Sequence, residues 1–369
     1  MLMVDPRVTR LAQVLVRYSL QLRPGDLFRI NGNAVTAPLV QELYREALLA
    51  GAHPFTNITL SGLDEVFYRY GSDAQLGYIA QLKYQEIEQI DATISLLGDE
   101  NTRSLSGIDP QRITLARNAR RELQARMIQR AAEGGLRWCV TQFPTQASAQ
   151  DADMSLTEYA DFVYSAGLLD QADPVAAWKG VCAEQQRLID ILSRCDTIRL
   201  VSADTDLTYR VGGRTWVNAA GDKNFPDGEI FTGPIEDSAE GHITYSFPAV
   251  YSGREVEGVR LVFKQGQVVE ATAAKGQDLL LSLLDMDPGA RYLGEVAFGL
   301  NYGIKRFSRN ILFDEKIGGT VHLAVGASYP ETGGQNQSAL HWDMVCDMRT
   351  GSEVFADGEL VYRDGNFIV

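Results

Sequence analysis

Asp91-Ala-Thr-Ile-Ser-Leu-Leu97 is a short apolar run flanked by stretches of helical character: residues 75–89 before it, and the Arg/Ala/Glu-rich residues 111–133 after it, stopped by Gly134-Gly135. A strand with a helix on either side suggests parallel pairing with helices on the sheet faces, because parallel neighbours need a long crossover. The alternation continues outward. Val8, Leu11, Ala12, Leu15 and Val16 recur at helical spacing over residues 6–20. Arg23-Pro-Gly-Asp26 turns the chain into the apolar run Leu27–Ile30. A second helix carrying Leu39, Val40, Leu43, Ala47 and Leu48 is closed by Gly51, and Pro54–Thr59 follows as a strand. Arg137–Val140 reads as another strand, and residues 151–168 and 176–194 as two more helices.

Near Cys195 the character changes. IRLVSA, LTYRV, VRLVF, VVEATA, VAFGL, TVHLAV and LVYRDG are short, β-rich and divided by Gly turns. The expected architecture is α/β (α+β overall). Residues 1–195 form an N-terminal α/β domain with a largely parallel sheet. Residues 196–369 form a β-rich domain with a curved, mainly antiparallel sheet and one or two helices, notably near 276–286. No internal repeat is present.

The 369 residues carry 48 acidic and 34 basic side chains, a formal net charge of −14. That balance argues against nucleic acid and against an anionic membrane surface, both of which call for basic patches. Cys139, Cys182, Cys195 and Cys346 form no CxxC pair, which fits a reducing cytoplasm better than a disulfide framework. Asp5, Arg7 and Arg10 interrupt any apolar leader, and no apolar run approaches the roughly 20 residues of a membrane span. GxGxxG, the P-loop, HExxH and GxSxG are all missing.

Two of only four histidines fall close together, in Thr320-Val-His322-Leu-Ala-Val-Gly-Ala-Ser-Tyr329 and Ala339-Leu-His341-Trp-Asp343-Met-Val-Cys346. On a strand His341 and Asp343 project to one face, with Leu340, Trp342 and Met344 to the other. An imidazole beside a carboxylate on a rigid strand suits a metal; the bland alternative is a pair of buried, hydrogen-bonded histidines. Glu295 in Tyr292-Leu-Gly-Glu-Val-Ala-Phe298 is costly to bury without a partner. Glu229 enters an apolar stretch after Gly228, whereas Glu315 beside Lys316 reads by itself as a solvated pair. Three or more carboxylates with two imidazoles suit two divalent ions about 3.5–4 Å apart.

NFPDGEIFTGP, YLGEVAFGLN, DEK…HLAVGASY and LHWD, in that order, resemble the thermophilic metalloprotease family of aminopeptidases T and S. RPGD, AGAHP and the terminal DGELVYRDGNFIV extend the resemblance over nearly the whole chain. It implies aminopeptidase action on short peptides, two divalent ions per chain (zinc, cobalt or manganese), and a homodimer. Carried onto this sequence, it implies metal ligation by Glu229, Glu295, His322, His341 and Asp343, with Glu295 bridging. Tyr329 matches the active-site tyrosine, an oxyanion donor, and Glu315 is the candidate general base. A second reading uses His322, His341 and Asp343 alone as a two-His-one-carboxylate face for one Fe²⁺ in a ring-cleaving dioxygenase.

Overall fold

The computed structural model describes residues 5–251 and 253–369. Two compact units divide the chain. One runs to Ala177 and takes in Gly221–Pro226; the other comprises Trp178–Ala220 and Asp227–Val369.

The first unit is built on a five-stranded sheet in the order His53–Thr59, Leu27–Asn33, Ala92–Leu97, Arg137–Gln142, Asn224–Phe225, parallel throughout. Phe28, Ile30, Ala92, Ile94, Leu96 and Cys139 are buried, and the strand registers put all six on one face of the sheet. The edge strand Asn224–Phe225 lies in a stretch that reads as loop, since two residues carry no periodicity. Several helices are shorter than their sequence suggests. Residues 75–89 divide into Asp73–Leu76 and Gln81–Gln89, because Ser72 forms a capping box with Gln75 and Gly77 closes the first turn. Residues 111–133 divide at Arg120 into Pro110–Ala119 and Arg121–Ala132. In place of one helix over 151–168 there are two, Gln146–Asp151 and Leu156–Ala166, the second started by a Ser155–Glu158 capping box.

The second unit holds two larger sheets and a two-stranded ribbon. One sheet has eight strands, running from Gln267–Thr272 at one edge to Asn366–Phe367 at the other. The other has five, in the order His341–Asp347, Thr320–Gly326, Leu293–Gly299, Glu229–Thr232, Val217–Ala219, all antiparallel. They share one hydrophobic core. Ile198, Leu200, Leu207, Ile243 and Leu261 of the eight-stranded sheet join Ile230, Val296, Phe298, Val321, Leu323, Val325 and Met344 of the five-stranded sheet. The fold is therefore mixed α/β, with the parallel sheet N-terminal and the antiparallel sheets C-terminal. Among the described residues no helix is long and apolar enough to cross a membrane.

Candidate metal centre

Residues directly opposed in an antiparallel pair share a sheet face. Glu229 is opposed to Gly299, and Ala297 to both Phe231 and His322. Ala324 is opposed to Glu295 and Asp343, and Gly326 to His341. One face of the five-stranded sheet thus carries Glu229, Glu295, His322, His341 and Asp343, while the alternate residues fill the core. Between them on that face stand Ala297, Gly299, Ala324 and Gly326, which leave room for the longer side chains to converge.

A β-bulge puts Glu295 there. Leu293 pairs with Val325 and Glu295 with Ala324, so two steps on one strand match a single step on its neighbour. Without the shift Glu295 would follow Leu293 into the core. Gly294 sits at the bulge, where a Cβ would collide with the Ala327 carbonyl oxygen. Ala324 is fully buried between the converging groups. Ala324→Leu is expected to lower metal affinity about 5- to 150-fold, the equivalent of the roughly 1–3 kcal/mol that overpacking a filled site costs; metal analysis after dialysis checks it.

His322 Nε2 lies 3.3 Å from Glu295 Oε1 and 3.4 Å from Glu229 Oε2. His341 Nε2 lies 3.4 Å from Glu295 Oε2 and 3.6 Å from Asp343 Oδ1. The two oxygens of Glu295 therefore face one imidazole each. His341 Nδ1 is 2.8 Å from the Ala327 carbonyl oxygen. That oxygen can only accept, so Nδ1 carries the proton and Nε2 is turned to the centre.

Burial raises the Glu295 carboxyl, but the two imidazoles outweigh it and hold it at about 2. Burial pushes Glu229 up to about 8 against the pull of Lys316. It pushes Asp343 up to about 6, helped by the Glu295 and Glu315 charges. Burial lowers both histidines, yet their hydrogen bonds to Glu295 and the surrounding carboxylates raise His322 to about 10 and His341 to about 9.

Glu315 follows the short helix Ile311–Asp314 and contacts Lys316, whose ammonium is fully buried and lies 3.4 Å from Glu229 Oε1. The Tyr329 ring stands edge-on to His341 at 5.1 Å and 5.4 Å from Phe231. Tyr329 is partly exposed, but crowding of its hydroxyl by the centre, and then the Glu295 and Asp343 charges, raise it above the usual phenol range, and so it stays protonated. His53 and His242 lie on other sheets, and Cys346 is in the core on the face opposite His341.

Sequence reasoning passes over Lys316 and Gln185. The Glu315-Lys316 pair reads as solvated, although apolar Ile311-Leu-Phe313 and Ile317 bracket it. Gln185 is buried on the helix Pro174–Leu192, and its Nε2 donates to Asn218 Oδ1, Ala219 O and Glu229 O at 2.8, 3.1 and 2.9 Å. It ties down the strand that presents Glu229.

The centre fits a divalent metal on its own chemistry. Among the described residues, Glu229–Glu315–His322 and Glu295–His322–Asp343 each offer three ligand atoms within 4.8 Å of one another. Glu229 Oε2 and Asp343 Oδ1 are buried and make no hydrogen bond, a costly arrangement unless a cation meets them.

Residues 4–367 match the thermophilic metalloprotease family M29. The chain belongs to that family. Aminopeptidase 2 of Geobacillus stearothermophilus is 28% identical, with 98% of each chain covered. Aminopeptidase T of Thermus aquaticus is 26% identical, over 96% of this chain and 94% of the relative. The structure of wild-type AmpT from Thermus thermophilus superposes on this M29 chain with a TM-score of 0.87 at 23% identity, covering 99% of both, which establishes the shared fold.

Proposed function

We propose that this protein is a metal-dependent aminopeptidase that releases N-terminal residues from short peptides. The carrying observation is one sheet face on which Glu229, Glu295, His322 and Asp343 converge, joined by Glu315 from the end of a short helix to make two overlapping three-donor sets that share His322, in a chain matched along its length to a metalloprotease family. Relatives named aminopeptidases support the reaction class.

Charge supports two ions per chain (zinc, cobalt or manganese). Asp227, Glu229 and Glu315 lie beside the Lys316 ammonium and Glu295 and Asp343 beside the histidines, five carboxylates to one ammonium. With neutral imidazoles as ligands, four negative charges remain, the charge that two dications offset. Glu229, Glu295, His322, His341 and Asp343 would hold the ions, with Glu295, which faces both histidines, between them. Bound divalent ions supply an acidified water and polarise a carbonyl.

The chain's own groups do the rest. Tyr329 Oη, kept protonated, donates to the oxygen that gains charge as the peptide carbonyl becomes tetrahedral. Glu315 takes a proton and returns it to the leaving amine. The carboxylates attract the substrate's free α-ammonium, which sets the exopeptidase register. The one-iron reading of His322, His341 and Asp343 gives Glu229 and Glu295 no role. Free cysteines support a reducing cytoplasm, and the homodimer rests on the family resemblance.

The test is turnover of Leu-, Arg- and Phe-p-nitroanilides and of di- and tripeptides after loading with Co²⁺ or Zn²⁺. Metal-dependent release is expected, and none on any substrate would sink the peptidase reading. Tyr329→Phe should leave metal content unchanged and lower kcat by about 10²–10³-fold, the value of one aimed oxyanion donor. Parallel metal analysis and steady-state kinetics check both halves.

A further inference from the structure

Lys316 has no exposed surface, so it does not reach a peptide arriving from solvent. Its ammonium contacts Glu315, lies 3.4 Å from Glu229 Oε1, and is 3.8 Å from Asp227 Oδ1. The main chain is held on both sides: Lys316 N donates to the Phe313 carbonyl, and the Lys316 carbonyl accepts from Asn301 N, each at 3.0 Å.

The ammonium divides the centre unequally. In the Glu229–Glu315–His322 set, both carboxylates are shared with Lys316. In the Glu295–His322–Asp343 set, neither carboxylate pairs with Lys316; their ion-pair partners are the imidazoles of His322 and His341. Lys316 also divides Glu229 itself. Oε1 faces the ammonium, while Oε2 faces His322 and makes no hydrogen bond. One oxygen is thereby left for an ion.

We propose that Lys316 is a positioning residue that makes the two ion positions unequal. It turns a single Glu229 oxygen to the metal and anchors Glu315. Its permanent charge weakens the ion on the Glu229–Glu315 side relative to the one on the Glu295–Asp343–His341 side. The weaker ion exchanges readily and the stronger one stays. This inference rests on the two-ion reading.

Zn²⁺ binding to the metal-stripped full-length protein, followed by chelator competition at fixed pH, is the test. Wild type should bind two ions with dissociation constants about tenfold or more apart, since a permanent charge beside Glu229 and Glu315 is worth that much to a nearby dication even at high effective dielectric. Lys316→Met, similar in length and uncharged, should tighten the weaker ion about tenfold or more and move the stronger one less than about threefold. Lys316→Arg, with the charge intact, should keep the wild-type spread. The order of filling is read independently with Co²⁺: His341→Gln should abolish the spectrum of the first equivalent, and Glu315→Gln should leave it in place. Equal affinities in wild type, an unchanged spread in Lys316→Met, or a first equivalent sensitive to Glu315→Gln but not to His341→Gln overturns the inference and leaves two ions standing. One ion per wild-type chain overturns the two-ion reading, and this inference with it. If Lys316→Met folds only with zinc, the wild-type spread, Lys316→Arg and the Co²⁺ order decide the matter.

Discussion

Glu295→Gln is expected to abolish peptide hydrolysis and to strip the centre of metal with little change in the fold. Glu295 is buried and presents one oxygen to each of the two site histidines, at 3.3 and 3.4 Å. No other side chain of the centre faces both imidazoles among the described ion pairs. The amide is nearly isosteric, so the bulge at Gly294 and the packing of Leu293 and Val296 are kept. The metal-free fold should survive because the histidines adapt. Their pKa values stand near 10 and 9 largely through hydrogen bonds to Glu295, so without the carboxylate they shed their protons and leave no orphaned charge. Metal binding does not adapt, since the amide offers one weak oxygen donor where the carboxylate offers two charged ones. The expected loss in kcat/KM is on the order of 10³-fold or more, the scale of several kcal/mol of metal assistance. Metal analysis, circular dichroism and a thermal melt accompany the assay. A variant that keeps both its metal and its activity would show that Glu295 is not the bridging group.

Metal loading should raise the melting temperature strongly, and more at pH 8 than at pH 6. Ions that bind only the folded chain stabilise it by about 2.7 kcal/mol at a hundredfold excess over Kd and about 4.1 kcal/mol at a thousandfold excess. At about 2–4 °C per kcal/mol for a sizeable domain, the rise is on the order of 5–15 °C. The pH dependence follows from the protons a metal must displace. His322, His341 and Glu229, raised to about 10, 9 and 8, are largely protonated at pH 7, and Asp343, raised to about 6, joins them below that pH. Each group ligates only when deprotonated, so affinity falls as pH drops through these values and climbs as it rises. Calorimetric titrations in two buffers of different ionisation enthalpy should show more than one proton released per chain at pH 7. Scanning calorimetry with and without chelator measures the melting shift. A metal-independent melt at pH 8 would contradict the carboxylate-rich centre.

Much of this was legible because the signals are local. The parallel sheet follows from Leu27–Ile30, Pro54–Thr59, Asp91–Leu97 and Arg137–Val140 alternating with helical stretches. His341 and Asp343 share a face because strand residues alternate, and their strand carries Trp342, Met344 and Cys346 into the core as that period requires. What escaped depends on partners far away in sequence. Asn224–Phe225 becomes a strand only by pairing with Arg137–Gln142. Gln185 gains its role by meeting Asn218, Ala219 and Glu229.

Composition, strand and helix periods, and the ordered motifs around Glu229, Glu295, His322 and His341 point to the fold class and to a cluster of acids and imidazoles, because both are written in spacings of a few residues. Tertiary structure alone decides that Glu295 leaves the core side of its strand, since a bulge exists only relative to the neighbouring strand. It alone decides that Lys316, beside Glu315 in sequence and outwardly an ordinary surface charge, is sealed among Asp227, Glu229 and Glu315. Whether a charge lies in water or in the interior depends on what the rest of the chain folds over it.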